Sequence, residues 1–300
     1  MNLLVGIGLI FSLIANTGLA AARPVSDLFR SSLNSNKNQP FIQPLYIQQP
    51  KPKPNFKKFN TDAASAMVYD TASGTKLLEK DADTQRPIAS ITKLMTALVI
   101  MESHKPNEVV TVGKLPTLGT EDQKMGLVEG EEITVGELLK ALLIYSANDS
   151  ANALAIYDSG SIEKFADKMN DKARQWGLNN SKFIEPSGLK AGDLSSASDL
   201  IKIASILSVN ETFRKITSTA TTKVSNQAGR QYSLVTTNKI LGLGGVVGMK
   251  TGYTLEAGQC LITAAERNGH RIFTVVLNSP DRFQESKNMV EWAFNNYIWQ

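Results

Sequence analysis

Arg86-Pro87-Ile88-Ala89-Ser90-Ile91-Thr92-Lys93-Leu94-Met95-Thr96 sets a serine and a lysine at the head of a long apolar run. From Ile88 to Met101, Lys93 is the only charged residue. Apolar residues at 91, 94, 95 and 98 predict a helix from about Ser90 to Glu102, starting after Pro87. Ser90 and Lys93 are three positions apart and share a face of that helix. A serine hydroxyl is a weak nucleophile until a neighbouring base takes its proton. An ammonium group in apolar surroundings is disfavoured, so a neutral lysine amine becomes accessible as that base. Free backbone N–H groups at the helix start can stabilise an oxyanion. The segment reads as a nucleophile, Ser90, beside its base, Lys93.

Other serine or metal chemistries fit poorly. The chain has two histidines. His104 follows the end of the helix and His270 follows the Asn268-Gly269 turn, so both read as surface residues. A Ser-His-Asp triad and a zinc centre are therefore not expected. No metal and no cofactor is called for.

Working outward, Ala66-Met67-Val68-Tyr69, the turn Thr71-Ala72-Ser73-Gly74 and Thr75-Lys76-Leu77-Leu78 predict a β-hairpin. Val135 to Tyr145 and Asp149 to Tyr157 read as two apolar helices meeting at Ser146-Ala147-Asn148. Ser161 to Gly177 is an amphipathic helix closed by glycine, and Ala197 to Leu207 is another. Strands return at Val246–Gly252, Gly258–Ala265 and Arg271–Leu277, and a last helix runs from about Glu285 to Tyr297. Strands at both ends of the domain with helices between them predict an α+β fold. One sheet is closed by the N- and C-terminal segments around an inserted helical region.

Two further motifs belong with the first. Ser-x-x-Lys alone is weak, since it recurs at Ser73, Ser161 and Ser187, and Ser-x-Asn is no rarer. Order and context carry the signal: Ser90-x-x-Lys93 opens a helix, Ser146-x-Asn148 joins two, and Lys250-Thr251-Gly252 ends a strand. Ser146 can relay a proton to a leaving group, and Asn148 can hold a substrate amide. Lys250 and Thr251 add a cation and a hydroxyl on a strand edge suited to an extended peptide.

With these elements in place the chain resembles the penicillin-binding, active-site-serine D,D-peptidases, which share their motifs with class A β-lactamases. Within that group it is most similar to the low-molecular-mass D-alanyl-D-alanine carboxypeptidases, over essentially all of residues 61–300. Arg86–Thr96, Ser146-Ala147-Asn148-Asp149, and Lys250-Thr251-Gly252-Tyr253-Thr254 followed by Ala257-Gly258 carry the likeness. Phe183-Ile184-Glu185-Pro186-Ser187-Gly188-Leu189 fits too, but many members have Asn where Glu185 stands. Glu is similar to what the related D,D-endopeptidases carry. The resemblance implies a five-stranded antiparallel sheet flanked by helices, with an inserted helical subdomain. It implies that Ser90 attacks a D-Ala-D-Ala carbonyl of a peptidoglycan stem peptide, with Lys93 as base, to give an acyl-enzyme that water hydrolyses. Ser146, Asn148 and Lys250 complete the catalytic set. The Ser90 and Tyr253 N–H groups form the oxyanion hole, and Thr251, Gly252 and Tyr253 line the substrate. Arg282, read as lying between the last strand and a helix-opening Ser286, sits near Thr251 and reads the terminal carboxylate. β-Lactams are expected as covalent inhibitors. A D,D-endopeptidase or a β-lactamase is the alternative activity. Glu185 is expected in a structural role, its alternative being a deacylation base.

The N-terminal segment has another character. Leu3 to Ile14 is apolar apart from Gly6, Gly8 and Ser12, and small residues follow at Gly18, Ala20, Ala21 and Ala22. Residues 1–22 therefore read as a signal peptide cleaved after Ala20 or Ala22, or as an uncleaved anchor, since no Lys or Arg precedes the apolar run. Either implies export. Residues 23–60 hold six of the eleven prolines and seven Lys/Arg against one acid, Asp27. They are expected to form an extended tether with weak affinity for anionic wall polymers or membrane. The remaining residues, 61–300, form the catalytic domain and carry 25 basic and 27 acidic groups. The basic balance thus belongs to the tether, and no nucleic-acid groove is expected. Cys260 is the only cysteine, so no intramolecular disulfide can form, and it reads as a core residue.

Overall fold

The computed structural model of the chain describes residues 48–120 and 122–299. In chain order, β1 (Lys51–Pro52), β2 (Ser65–Asp70), β3 (Lys76–Lys80) and β4 (Arg86–Pro87) lead into the helical part. There α1 (Lys93–Ser103), α2 (Val135–Lys140), α3 (Asn148–Ser159), α4 (Ile162–Gln175), α5 (Ala197–Ser208) and α6 (Glu211–Thr217) follow one another. The short strands β5 (Val109–Thr111), β6 (Glu132–Thr134) and β7 (Leu194–Ser195) separate some of them. The chain returns through the hairpin β8 (Thr221–Ser225) and β9 (Gln231–Val235) to three long strands. These are β10 (Val246–Thr254), β11 (Gly258–Arg267) and β12 (His270–Ser279), and α7 (Arg282–Asn296) and β13 (Tyr297–Ile298) end the fold.

The main sheet has the order β10-β11-β12-β2-β3, and every neighbouring pair is antiparallel. The N-terminal hairpin thus joins the C-terminal meander through β2 and β12, as the α+β reading expects. Strand alternation separates two faces. Ala66, Val68, Leu261, Ala265, Ile272 and Val276 meet Met289, Val290 and Ala293 of α7. Met67, Cys260, Ile262, Ala264, Phe273 and Val275 join the second core, with α1, α3 and α5. On the α7 side Thr274 and Thr263 are both fully buried, and they satisfy each other by a 2.9 Å hydroxyl hydrogen bond.

Helix α1 has buried residues on every side from Lys93 to Ile100, so it is the central helix of the insert. Its neighbours start where side-chain oxygens cap them: Thr134 for α2, Ser161 for α4, Ser196 for α5 and Asn210 for α6. The periodicity does not announce α6 or the hairpin β8–β9. Helix α6 has only seven residues, and each hairpin strand buries only one or two of five.

The tether ends earlier than the sequence implies. Residues 1–22 and the tether up to residue 47 lie outside the described residues, but residues 48–60 pack on the domain. β1 pairs with β13, Lys53 N–H donates to Asn296 O at 2.8 Å, and Trp292 Nε1 donates to Lys57 O at 2.6 Å. Phe56 meets Trp292 and Tyr297 edge-on, with centroids 5.9 and 5.6 Å apart, and Phe59 lies 5.7 Å from Trp292. Composition alone hid this, because two phenylalanines among prolines and lysines find their apolar partners some 230 residues away. The folded unit therefore includes the segment expected as linker after residue 47, and does not start at Thr61. Removing residues 1–60 should lower the melting temperature relative to removing residues 1–46. The half-buried Phe59, the ring contacts of the more exposed Phe56 and the backbone hydrogen bonds of Lys53 and Lys57 contribute about 2 kcal/mol, or roughly 4–8 °C in a domain of this size. Equal melting temperatures in differential scanning calorimetry would show that residues 47–60 add nothing.

Candidate active site

Residues Ala89–Thr92 form a tight 3-10 turn, and Lys93 is the first residue of α1. The single helix expected from Ser90 is thus split, which leaves Ser90 half-buried on the turn while Lys93 points into the protein. Two glycines hold this turn from opposite sides. A Cβ on Gly252 of β10 would sit 2.7 Å from Ile88 O, and one on Gly188 would sit 2.0 Å from Ala89 O. Only glycine lets both backbones come that close.

The Lys93 side chain is fully buried. Its Nζ lies 2.9 Å from Ser90 Oγ, 2.7 Å from Asn148 Oδ1 and 2.6 Å from the Ser187 carbonyl oxygen. An ammonium would satisfy all three acceptors with its three N–H groups. A neutral amine keeps two N–H groups and one lone pair. Asn148 Oδ1 and Ser187 O can only accept, so the lone pair falls to the Ser90 hydroxyl, the one partner able to donate. Burial pulls the Lys93 pKa from 10.5 down to about 7, against the opposing pull of Glu185, Asp193 and Asp149. Near neutral pH the amine is then available to accept the Ser90 proton.

A second lysine–serine pair faces the first. Ser146 ends a wide π-helical turn, Ala141–Tyr145, in the left-handed conformation with φ 66°. Its Oγ accepts from Lys250 Nζ at 2.8 Å, and the same Nζ donates to Thr251 O at 2.9 Å. Lys250 is also fully buried. Desolvation first, then the Lys93 and Arg282 cations, push its pKa well below the ordinary lysine value. Asn148 opens α3, and its backbone N–H donates to Gln123 O at 2.8 Å. Asp149 pins the same loop by accepting from the N–H groups of Met125, Gly126 and Leu127 at 2.7–3.1 Å.

Strand β10 is the sheet edge, and Lys250, Thr251, Gly252 and Tyr253 lie along it beside the Ser90 turn. Thr251 Oγ1 is 2.6 Å from Thr237 Oγ1, while the Tyr253 side chain is exposed. Arg282 Nη1 donates to Gly252 O at 2.6 Å, which brings its guanidinium to the third motif. Its Nε is buried with no hydrogen-bond partner among the described residues. The sequence puts Arg282 ahead of a helix opening at Ser286; instead Arg282 is the first residue of α7. Asp281 is the cap, and its carboxylate accepts from Phe283 and Gln284 N–H. An Asp cap five residues earlier outweighs the Ser286 hydroxyl, which is buried inside the helix.

Hydrogen bonds and the close approach of β10 bring all nine residues singled out from the sequence together around the Ser90 turn. Neither histidine hydrogen-bonds to any of them. His104 is half-buried, not a free surface residue, because its ring nitrogens meet Glu108 at 2.8 Å and Asp158 at 3.0 Å. His270 lies against Trp299.

Sequence reasoning missed the floor of the site. Asp193 is buried and accepts from Ile184 N–H at 2.6 Å and from Thr92 Oγ1 at 3.2 Å. Desolvation raises its pKa to about 7, and Glu185 beside it adds to the rise. It sits in Ala191-Gly192-Asp193-Leu194, which matches no motif. Ser187 contributes a backbone carbonyl, which no side-chain pattern reports. Glu185 Oε2 accepts from Ser187 N–H at 2.8 Å and Ser187 Oγ at 2.7 Å, and Oε1 accepts from Leu189 N–H at 2.7 Å. Both oxygens of Glu185 are thus engaged by its own turn.

Comparison with known proteins agrees with this geometry. Residues 49–281 match the D-alanyl-D-alanine carboxypeptidase family. The chain is 36% identical over 246 residues to the D-alanyl-D-alanine carboxypeptidase DacF of Bacillus subtilis, covering 79% of this chain and 63% of that protein. It is 35% identical over 204 residues to a D-alanyl-D-alanine endopeptidase of Haemophilus influenzae, covering 67% of this chain and 69% of the relative. The matched part thus spans under two thirds of the Bacillus protein. Among solved structures, the Streptomyces K15 DD-transpeptidase superposes with a TM-score of 0.73 at 30% identity, over 80% of this chain and 99% of the other. Penicillin-binding protein D2 of Listeria monocytogenes with bound ampicillin gives 0.69 at 30% identity, over 79% and 100%. The chain belongs to the D-alanyl-D-alanine carboxypeptidase family.

Proposed function

We propose that the protein is a serine D,D-carboxypeptidase that removes the terminal D-alanine from peptidoglycan stem peptides. The observation that carries this reading is the buried Lys93 amine, whose lone pair is left to the Ser90 hydroxyl by two partners that only accept. Ser90 Oγ attacks the carbonyl carbon of the penultimate D-alanine, and its proton passes to Lys93 Nζ. The new C–O bond leaves an oxyanion on the substrate, held by the N–H groups of Ser90 and Tyr253. The C–N bond then breaks, and the leaving amine takes a proton through Ser146, which Lys250 holds in place. Water hydrolyses the ester and returns Ser90. Asn148 holds the substrate amide, and the β10 edge pairs with the peptide backbone.

Two neighbouring activities share this machinery. A D,D-endopeptidase is the second reading, favoured by the endopeptidase-named relative and by Glu185. A β-lactamase is less well supported, because both Glu185 oxygens are taken up by the N–H groups of its own turn. β-Lactams should therefore acylate Ser90 and leave slowly. We also infer that the enzyme acts outside the cytoplasm, with the basic segment 23–60 in contact with anionic wall or membrane. Among the described residues, no helix is long and apolar enough to cross a membrane.

Four outcomes check the reading. Penicillin should add its mass to the peptide containing Ser90, and Ser90→Ala should abolish both this and the release of D-alanine from purified muropeptides. Mass spectrometry of the same digests separates the activities: loss of one D-alanine supports the carboxypeptidase, and cross-linked dimers falling to monomers would make it an endopeptidase. Acylation should rise with pH as Lys93 sheds its proton, then level off above about 7. Lys93→Arg, which stays charged, should remove that rise and slow acylation by orders of magnitude; a wild-type rate would rule Lys93 out as base. Arg282→Ala should slow turnover of free-acid peptides roughly ten- to a hundredfold, the scale of a lost charged hydrogen bond, and spare amidated ones. Equal losses on both substrates would make Arg282 structural.

A further inference from the structure

The two groups that steer the Lys93 lone pair toward Ser90 are not equal. Asn148 is a motif residue on a helix. The Ser187 carbonyl belongs to a turn with no strand or helix to hold it, and it makes the shortest of the three contacts, 2.6 Å. What holds that turn is one carboxylate. Glu185 takes Ser187 N–H and Oγ on one oxygen and Leu189 N–H on the other, with Lys190 N–H at 3.4 Å. Residues 187–190 thus wrap around a buried side chain, and Gly188, at φ 73°, is pressed on Ala89 O beside the nucleophile.

We propose, building on the serine-peptidase reading, that Glu185 is a positioning residue for the base: its clamp aims the Ser187 carbonyl at Lys93, and its negative charge faces the amine. Every hydrogen-bond contact to the Glu185 carboxylate is a donor, so the ionised form is the one the turn accommodates. The charges around Lys93 come from several elements. Glu185 and Asp193 lie on the loop beneath it and Asp149 lies on α3, and all three favour its proton. Lys250 lies across the cleft on β10, with Arg282 behind it. Thr96 Oγ1 of α1 donates to Pro186 O at 2.6 Å, so the loop is tied to the same helix that carries the lysine. A Gln at 185 removes the charge and also leaves part of the clamp unpaired, because its NH2 cannot accept, whereas an Asp keeps the charge and shortens the clamp. Loss of the charge moves the Lys93 titration to lower pH, and loss of the reach disorders the carbonyl.

The test is the pH profile of acylation of Ser90 by a fluorescent penicillin, with folding checked by circular dichroism. Glu185→Gln should shift the profile midpoint down by about 0.5 pH unit or more, the scale of removing one nearby charge. Glu185→Asp should keep the midpoint and lower the plateau roughly tenfold, as a misaimed base does. An unchanged midpoint in Glu185→Gln overturns the charge role, and a wild-type plateau in Glu185→Asp overturns the positioning role. If Glu185→Gln does not fold, the Glu185→Asp plateau decides alone. Wild-type protein that is not acylated at Ser90 at all would sink the peptidase reading itself, which is a different result from either.

Discussion

A primary amine shut away from water must find all its hydrogen-bond partners in the protein, and it gives up its proton if they do not repay the lost hydration. Lys93 finds three partners from three separate parts of the chain: the turn before α1, the start of α3 and the loop at 184–190. Each must arrive within a few tenths of an ångström. The architecture follows from that demand. The insert has to be helical and tightly packed so that α1 and α3 meet, and the sheet has to run its edge strand past the turn. Gly252 and Gly188 are the two places where that closeness leaves no room for a side chain.

The same demand sets the electrostatics. Lys93, Lys250 and Arg282 gather around one cleft, and the two lysines are pulled down by burial. Arg282 also sits below its ordinary value through desolvation, but a guanidinium keeps its charge at any pH the protein meets. It is the fixed cation of the site, and its field adds to the lowering of the Lys250 pKa. The carboxylates of Glu185, Asp193 and Asp149 lie on the other side of Lys93 and partly offset this. Lys93 therefore sits between Lys250 and Arg282 on one side and the acidic side chains of Glu185, Asp193 and Asp149 on the other.

Much of this was legible in the sequence, and the division is physical. Side chains that do chemistry are conspicuous: a lone lysine in an apolar run, or a lysine, threonine and glycine ending a strand. The five-strand sheet was legible because its strands are long and apolar. Contributions that depend on tertiary contact were not. The Ser187 carbonyl is backbone, Asp193 gains its meaning from Thr92 about a hundred residues away, and Phe56 reads as linker until Trp292 is beside it. The helix start at Arg282 was misread because two capping residues compete there, and it is the Asp281 carboxylate that takes the free N–H groups of Phe283 and Gln284.

The Ser-x-x-Lys spacing occurs four times, and the three other copies show why spacing is not chemistry. Ser73 Oγ is spent on Asp70 within a β-turn, and its lysine, Lys76, is exposed and paired with Glu79. That hydrogen bond pushes the Lys76 pKa up, the opposite of Lys93. Ser161 is the cap of α4, accepting from Lys164 N–H, and the Lys164 side chain is exposed. Ser187 gives its hydroxyl to Glu185, and Lys190 points to solvent. All three lysines are exposed, so none meets the desolvation that Lys93 does. Only at Ser90 does the helix that follows bury its own first residue. The apolar run from Leu94 to Ile100 does this, by making α1 the centre of the insert. The low proton affinity of Lys93 is thus a product of what comes after it in the chain: the hydrophobic residues of α1 bury it.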